Sequence, residues 1–344
     1  MTLLPELTVR GAPFDRGLAH GRALGPVIRA FLGDRLARIN ALRPTPLGVA
    51  EARALARRYA AVIDAQLPSI GEELTGLARG AEIDRDDAVL LQIRRELVAH
   101  RDGDCSLVAG RTAAGDAVVA QNVDLAGAMT ELAMILRVRD PHGPDLCMFT
   151  FAGLLGYLGI NEAGLAIGIN MVLAPGWRIG VPPYLVVRHL LGQGGVEPAL
   201  AALAGVTRAS SRALLLADRD DLVEVELTVD DQHPLRGPVV VHTNHFLAPE
   251  LAAIDQLAEP SRSGSRARLD RLRRLTAPLD PDALPGWLAD HDGYPRSVCA
   301  HGEGDLTRGE TVGSVIMLPA RGELRATRGQ PCRARFSTYT LADP

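Results

Sequence analysis

The sequence predicts an α+β layered sandwich. Three observations carry that reading: a helix-period first hundred residues, a change to strand-period runs after residue 104, and strands in two groups with helices around them instead of a regular βαβ alternation. Residues 14–42 and 48–63 are rich in Ala, Leu and Arg with apolar positions three and four apart, and 85–100 continues the pattern. Asp102-Gly103-Asp104 then interrupts with a polar, flexible turn. Strands are expected at 105–111 and 117–124, a hairpin joined by Thr112-Ala113-Ala114-Gly115-Asp116, and then at 134–138, 146–151, 157–161 and 165–171. Helices at 183–191, opened by Pro182-Pro183, and at 196–203 lead to a second strand group at 213–216, 223–229 and 239–244. Helices at 266–275 and 282–288 precede a final hairpin, 312–318 with 324–327. No fixed-period repeat interrupts the 344 residues, so the chain reads as one core bearing a helical N-terminal segment, 1–104 and 105–344.

Composition removes several chemistries. All 37 basic residues are Arg, which rules out a lysine Schiff base, a P-loop lysine and a Ser-Lys dyad. A net charge of −4 gives no broad attraction to nucleic acid. No secretory leader or membrane-length apolar run is visible, so a cytoplasmic protein with no membrane partner is expected. Cys105, Cys147, Cys299 and Cys332 form no CxxC pair, and spacing alone predicts neither a zinc site nor a disulfide framework.

Cys105 and three downstream clusters can carry chemistry. Cys105 stands where the flexible turn ends and a strand begins. By itself such a residue is more often a buried small hydrophobe than a nucleophile. Gln121-Asn122-Val123-Asp124 ends the partner strand, so the hairpin returns Asp124 toward Cys105; otherwise Asp124 is an ordinary turn carboxylate. His242-Thr243-Asn244-His245 closes a β-branched run, and its histidines could hold a metal only if a third ligand converged on them. Tyr294-Pro295-Arg296-Ser297-Val298-Cys299 reads as a Pro-containing loop.

In this order and spacing, with Arg16-Gly17-Leu18-Ala19-His20-Gly21, Gly164-Leu165-Ala166 and Val181-Pro182, these pieces resemble the acyl-coenzyme A:6-aminopenicillanate acyltransferase family. The resemblance runs from Arg16 to about Arg335 and implies a four-layer αββα sandwich of the N-terminal-nucleophile type. It also implies that the chain cuts itself before Cys105, releasing residues 1–104 as a small subunit. A free thiol is mostly protonated at neutral pH, and an N-terminal amine, with a pKa of about 7.7–8.0, can accept its proton. Inside an intact chain the same nitrogen is an amide and no base.

By the resemblance, Cys105 is the nucleophile, Asp124 orients the amine, Asn244 is the oxyanion-hole donor, and Ser297 and Ala300 bind substrate. The partners implied are a small acyl amide or thioester and the chain's own cleaved fragment, with no cofactor and no metal. Two positions depart from the family pattern: Ala300 replaces an Arg, which predicts a preference for uncharged substrates unless Arg296 or Arg308 substitutes, and Asp104 replaces a Gly before the scissile bond. Two other readings use the same residues: an uncut, papain-like Cys-His-Asn amidase, and a non-catalytic binding relative.

Overall fold

A computed structural model describes residues 3–98, 105–305 and 308–342. The turn read at 102–104, Asp104 and the junction before Cys105 therefore lie outside the described residues. The strands are β1 (Glu6–Arg10), β2 (Ser106–Arg111), β3 (Ala117–Ala126), β4 (Ala133–Arg139), β5 (Leu146–Phe151), β6 (Leu158–Asn161) and β7 (Ala166–Asn170). They continue as β8 (Arg212–Ala217), β9 (Leu222–Leu227), β10 (Gln232–Arg236), β11 (Val239–His242), β12 (Gly309–Leu318), β13 (Glu323–Ala326) and β14 (Ser337–Thr340). The helices are α1 (Pro13–Gly33), α2 (Val49–Gln66), α3 (Pro68–Ala81), α4 (Arg85–Gln92), α5 (Pro183–Leu190), α6 (Val196–Ala204), α7 (Pro249–Ala252), α8 (Ser261–Leu272) and α9 (Leu284–Leu288).

The strands form an eight-stranded sheet, β1-β4-β5-β6-β7-β8-β9-β10, and a six-stranded sheet, β11-β2-β3-β12-β13-β14. Every pairing is antiparallel except β1 on β4. The two groups seen along the sequence are thus not the two sheets. The β2–β3 hairpin leaves its sequence neighbours and joins strands from the far end of the chain, because its alternate faces fit two different cores. Leu107, Ala109, Val119 and Val123 enter the large core with Ile135 and Phe149 of the other sheet. Val108, Val118 and Ala120 point the other way, onto Leu269 and Leu272 of α8 and Leu284 and Leu288 of α9. With α1 to α6 contributing to the first core, the layers run helix, sheet, sheet, helix, which is the αββα order expected.

Buried amides tie the layers together. Gln121 donates through Nε2 to Ile169 O (2.5 Å) and accepts from Ile169 N (3.0 Å), joining β3 of one sheet to β7 of the other. Asn170 donates to His242 O (3.0 Å) and Thr243 O (2.7 Å). Gln121 satisfies a donor and an acceptor that a dry interface would otherwise strand, and Asn170 satisfies two carbonyl acceptors.

The Arg16–Gly21 motif has a packing role. A Cβ on Gly17 would lie 1.9 Å from Glu73 O, one on Gly21 2.3 Å from Leu77 O, and one on Gly76 2.0 Å from Phe14 O. Helices α1 and α3 therefore approach backbone to backbone, and any larger residue forces them apart. Between them Glu73, buried, pairs with Arg16 (3.4 Å) and Arg188 (2.9 Å).

Candidate active site

Cys105 is the first described residue after 98 and sits immediately before β2 with 6% of its surface exposed. Its Sγ lies 3.9 Å from the carbonyl oxygen of Asp124, because the β2–β3 register, Ser106 opposite Asn122, brings the ends of the hairpin together. The return of Asp124 to Cys105 is thus a matter of register. Thr311 on β12, paired with Asp124 in the ladder, donates its hydroxyl to Asp124 Oδ1 (2.6 Å), and Arg268 of α8 places a guanidinium nitrogen 3.8 Å from Oδ2.

Arg268 also reaches Asn244, donating to Oδ1 at 3.0 Å and thereby fixing which end of the amide is the donor. Asn244 Nδ2 donates to Met171 O (3.0 Å). The segment that carries Asn244 is held from both sides. Ser265 accepts from Asn244 N (2.8 Å), contacts His245 Nδ1 (2.7 Å) and donates to Thr243 Oγ1 (2.9 Å). On the other flank His242 bonds Glu226 through Nε2 (2.8 Å) and Thr243 O through Nδ1 (2.8 Å). Both ring nitrogens therefore act as donors, and the pKa of His242 is raised: burial opposes the charged form, but Glu224 and Glu226 outweigh it. Burial lowers the His245 pKa to about 4. The two histidines are structural supports, and no third ligand joins them among the described residues.

Cys105, Asp124, Asn244, Ser297 and Ala300 all line one cavity of about 610 Å³. The structure brings together every site residue read from the sequence, separated by up to 195 positions. Ser297 turns out to be committed: its hydroxyl donates to Cys299 O (2.7 Å) and shapes the loop. Ala300 is pinned to Thr311, donating to its hydroxyl and accepting from its amide, both at 3.0 Å.

Sequence reading named two of the cavity's cations, Arg296 and Arg308, and missed the other four. Arg94, Arg95, Arg212, Arg268, Arg296 and Arg308 line the cavity, with Asp124 as the carboxylate in the lining among the described residues. Arg94 and Arg212 are anchored on Ala37 O (2.7 Å) and on Glu96 (3.1 Å). Arg296 and Arg308 are exposed at the wall. The absence of an Arg at position 300 therefore does not leave the cavity without anion anchors, which removes the ground for expecting uncharged substrates. Their signal was present in the sequence as Arg296 and Arg308. Arg94 and Arg95 lie on a segment read only as helix. Tyr157, stacked on Tyr184 at 5.0 Å, supplies an aromatic wall and stays a neutral phenol, its pKa raised by burial.

The fold also gathers donors that cysteine spacing kept apart. His291, Cys299, His301 and Cys332 place one nitrogen or sulfur each within 4.8 Å of all the others. No CxxC pair marks them in the sequence, because the ligand types alternate along one loop and the fourth comes from beyond β13.

A thiol at a strand start, a carboxylate and a side-chain amide around one open cavity fit an enzyme of acyl groups, acting on amide or thioester bonds. The sequence comparison is specific. Residues 111–333 match the family described as acyl-coenzyme A:6-aminopenicillanic acid acyl-transferase, and the chain belongs to that family. A relative from Emericella nidulans, the 40 kDa form of acyl-coenzyme A:6-aminopenicillanic-acid-acyltransferase, is 29% identical over 337 residues, 95% of this chain and 93% of that one. Among solved structures, a mutant of conjugated bile acid hydrolase from Clostridium perfringens aligns with a TM-score of 0.42 at 12% identity, covering 69% of this chain and 96% of that one. Penicillin V acylase from Agrobacterium tumefaciens aligns with a TM-score of 0.38 at 13% identity, covering 65% and 83%. No helix among the described residues is long and apolar enough to cross a membrane.

Proposed function

We propose that the chain cuts itself between Asp104 and Cys105 and then uses Cys105 to take an acyl group from a small anionic amide or thioester. The observation that carries this reading is the convergence of Cys105, Asp124 and Asn244 on one cavity, with Arg268 bridging the last two. In the cut form the Cys105 α-amine accepts the thiol proton, and Sγ attacks the substrate carbonyl carbon. Asn244 offers its second N–H to the resulting oxyanion, a contact of the kind that contributes about 10²–10³ in rate. The C–N or C–S bond then breaks and the leaving group takes the proton back from the ammonium. Water or an amine attacks the thioester and releases Cys105. Asp124, held by Thr311, orients the amine.

The cationic lining favours a substrate that carries a carboxylate or phosphate, and at these exposed positions a contact with Arg296 or Arg308 is worth about 0.2–1 kcal/mol each. The 1–104 segment supplies β1, α1 and much of the large core, so after cutting it remains bound as the chain's own partner. An uncut papain-like mechanism has less support, since His242 and His245 are engaged with Glu226 and Ser265.

Intact-mass analysis under denaturing conditions tests the reading. Two fragments meeting at 104/105 are expected from the wild type, and one inactive full-length chain from Cys105→Ala. A wild type that stays whole yet turns over substrate would overturn it.

A further inference from the structure

The cluster of His291, Cys299, His301 and Cys332 has the dimensions of a filled coordination shell. Cys299 Sγ and Cys332 Sγ are 3.6 Å apart, and His301 Nε2 lies 3.6 Å from the first and 3.5 Å from the second. His291 Nε2 lies 3.0 Å from His301 Nε2. A tetrahedral zinc ion with Zn–S near 2.3 Å and Zn–N near 2.0–2.1 Å separates its ligands by about 3.8 Å between sulfurs, about 3.6 Å between sulfur and nitrogen and about 3.3 Å between nitrogens. The separations among Cys299, Cys332 and His301 and between the two histidines follow that order and fall within about 0.3 Å of those values, and His291 lies within 4.8 Å of both sulfurs. A disulfide would bring the sulfurs to about 2.05 Å.

We propose that these four residues form a structural zinc site. Two soft thiolates and two imidazoles select a tetrahedral borderline-soft ion over magnesium or calcium, which prefer oxygen. All four positions are filled by protein, so the ion has no open site for water and takes no part in acyl transfer. Binding converts two thiols to thiolates and releases two protons to solvent; nothing is oxidised or reduced.

The frame around the cluster is built without help from the ion. Asp290 O accepts from Cys299 N (3.0 Å), closing the loop that bears three of the donors. The Asp290 carboxylate is gripped by Arg271 Nε (3.0 Å) and caps Asp292 N (2.8 Å). Asn122 on β3 donates to Leu288 O and Val298 O, both at 2.8 Å. Cys332 arrives on a turn closed by Ala334 N to Gln330 O at 2.9 Å. Because Ser297, Ala300 and His301 belong to the same loop and line the cavity, the ion holds the cavity wall in place.

Elemental analysis of protein purified without chelator is expected to give one zinc per chain. Cys105→Ala and Cys147→Ala keep it, and Cys299→Ser/Cys332→Ser loses it. Exchange with Co²⁺ gives the intense visible bands of a tetrahedral site and a thiolate charge-transfer band, and the latter weakens to about half in Cys332→Ser and is absent in Cys299→Ser/Cys332→Ser. Chelation lowers Tm by about 5 °C, and added Zn²⁺ restores it. Folded wild-type protein that contains no zinc and takes up neither Zn²⁺ nor Co²⁺ overturns the proposal. So does a Cys299–Cys332 disulfide found by non-reducing peptide mass analysis. Since Cys105→Ala retains the metal, this result is independent of whether the chain cuts itself.

Discussion

Replacing Thr311 by Val keeps the shape of the side chain and removes one hydroxyl that serves two partners. The bond to Asp124 Oδ1, at 2.6 Å, is within the range of a charge-assisted O–H···O⁻ contact, and the same oxygen accepts from Ala300 N at 3.0 Å. A hydrogen bond to a charged group contributes about 1.5–3 kcal/mol, and a buried N–H left unmatched costs about 1–3 kcal/mol. Arg268 still faces Oδ2, so the expected destabilisation is the lower half of the sum, roughly 3 kcal/mol. The catalytic consequence follows from charge. Without the hydroxyl, Asp124 holds more of its negative charge, stabilises the Cys105 ammonium, and leaves less neutral amine to accept the thiol proton. The acid limb of kcat/KM therefore moves to higher pH, and the rate at pH 7 falls by about one to two powers of ten. Urea denaturation and a pH–rate profile measure the two effects separately, with Thr311→Ser as the variant that restores both. A folded Thr311→Val enzyme with the wild-type acid limb would refute the placement of Asp124 beside the amine.

Glu224 is fully buried, and burial raises its pKa from 4.5 to about 7, with Glu226 adding to the shift and His242 opposing it. A pKa raised on folding gives stability that is full below 4.5 and is lost as pH climbs through 7, by roughly 3 kcal/mol at most. Urea midpoints of the wild type should therefore decline across that window, and those of Glu224→Gln should not; parallel curves would exclude Glu224 as the cause. Arg296→Ala/Arg308→Ala should raise KM about tenfold for a substrate with a carboxylate and leave the matched carboxamide unchanged. Equal effects on both substrates would show that the two arginines do not read charge.

Where strands alternate and helices keep their period, the sequence reading and the structure agree to within a few residues, as at β5, α5 and β8. The failures have physical causes. Residues 68–81 passed unread because Pro68, Gly71, Gly76 and Gly80 look like breakers; Pro68 opens α3, and Gly76 and Gly80 are where it touches α1. β1, β10 and β14 are short and lie at the edges of the sheets; β1 alternates over only five residues, too few to stand out, while β10, which includes Pro234, and β14 lack the apolar alternation that marks a half-buried strand. The helix read at 14–42 stops at Gly33 because residues 35–38 enter the left-handed region, with φ of 47–60°. Sheet membership was not legible at all, since the choice of partner for β2 and β3 depends on cores assembled from distant segments. That Cys105, Asp124 and Asn244 would share one cavity was legible because motif order survives when distances do not. Arg268 was not, as an arginine on a polar helix shows no sign of the two residues it will bridge.

The seating of β1 has a consequence for how this protein can be made and unmade. β1 runs parallel to β4 across five residue pairs, from Glu6 with Ile135 to Arg10 with Arg139, in a sheet that otherwise antiparallel neighbours complete. Such a pairing forms readily while both strands are tethered on one chain, because the loop between them sets their local concentration. With the backbone severed before Cys105, as proposed, that tether would be gone while the native contacts persist. Unfolding then separates two molecules, and their reunion becomes second order in concentration. The mature protein would be a state reachable only through its precursor, and a thermal scan on it would record a rate of escape instead of an equilibrium.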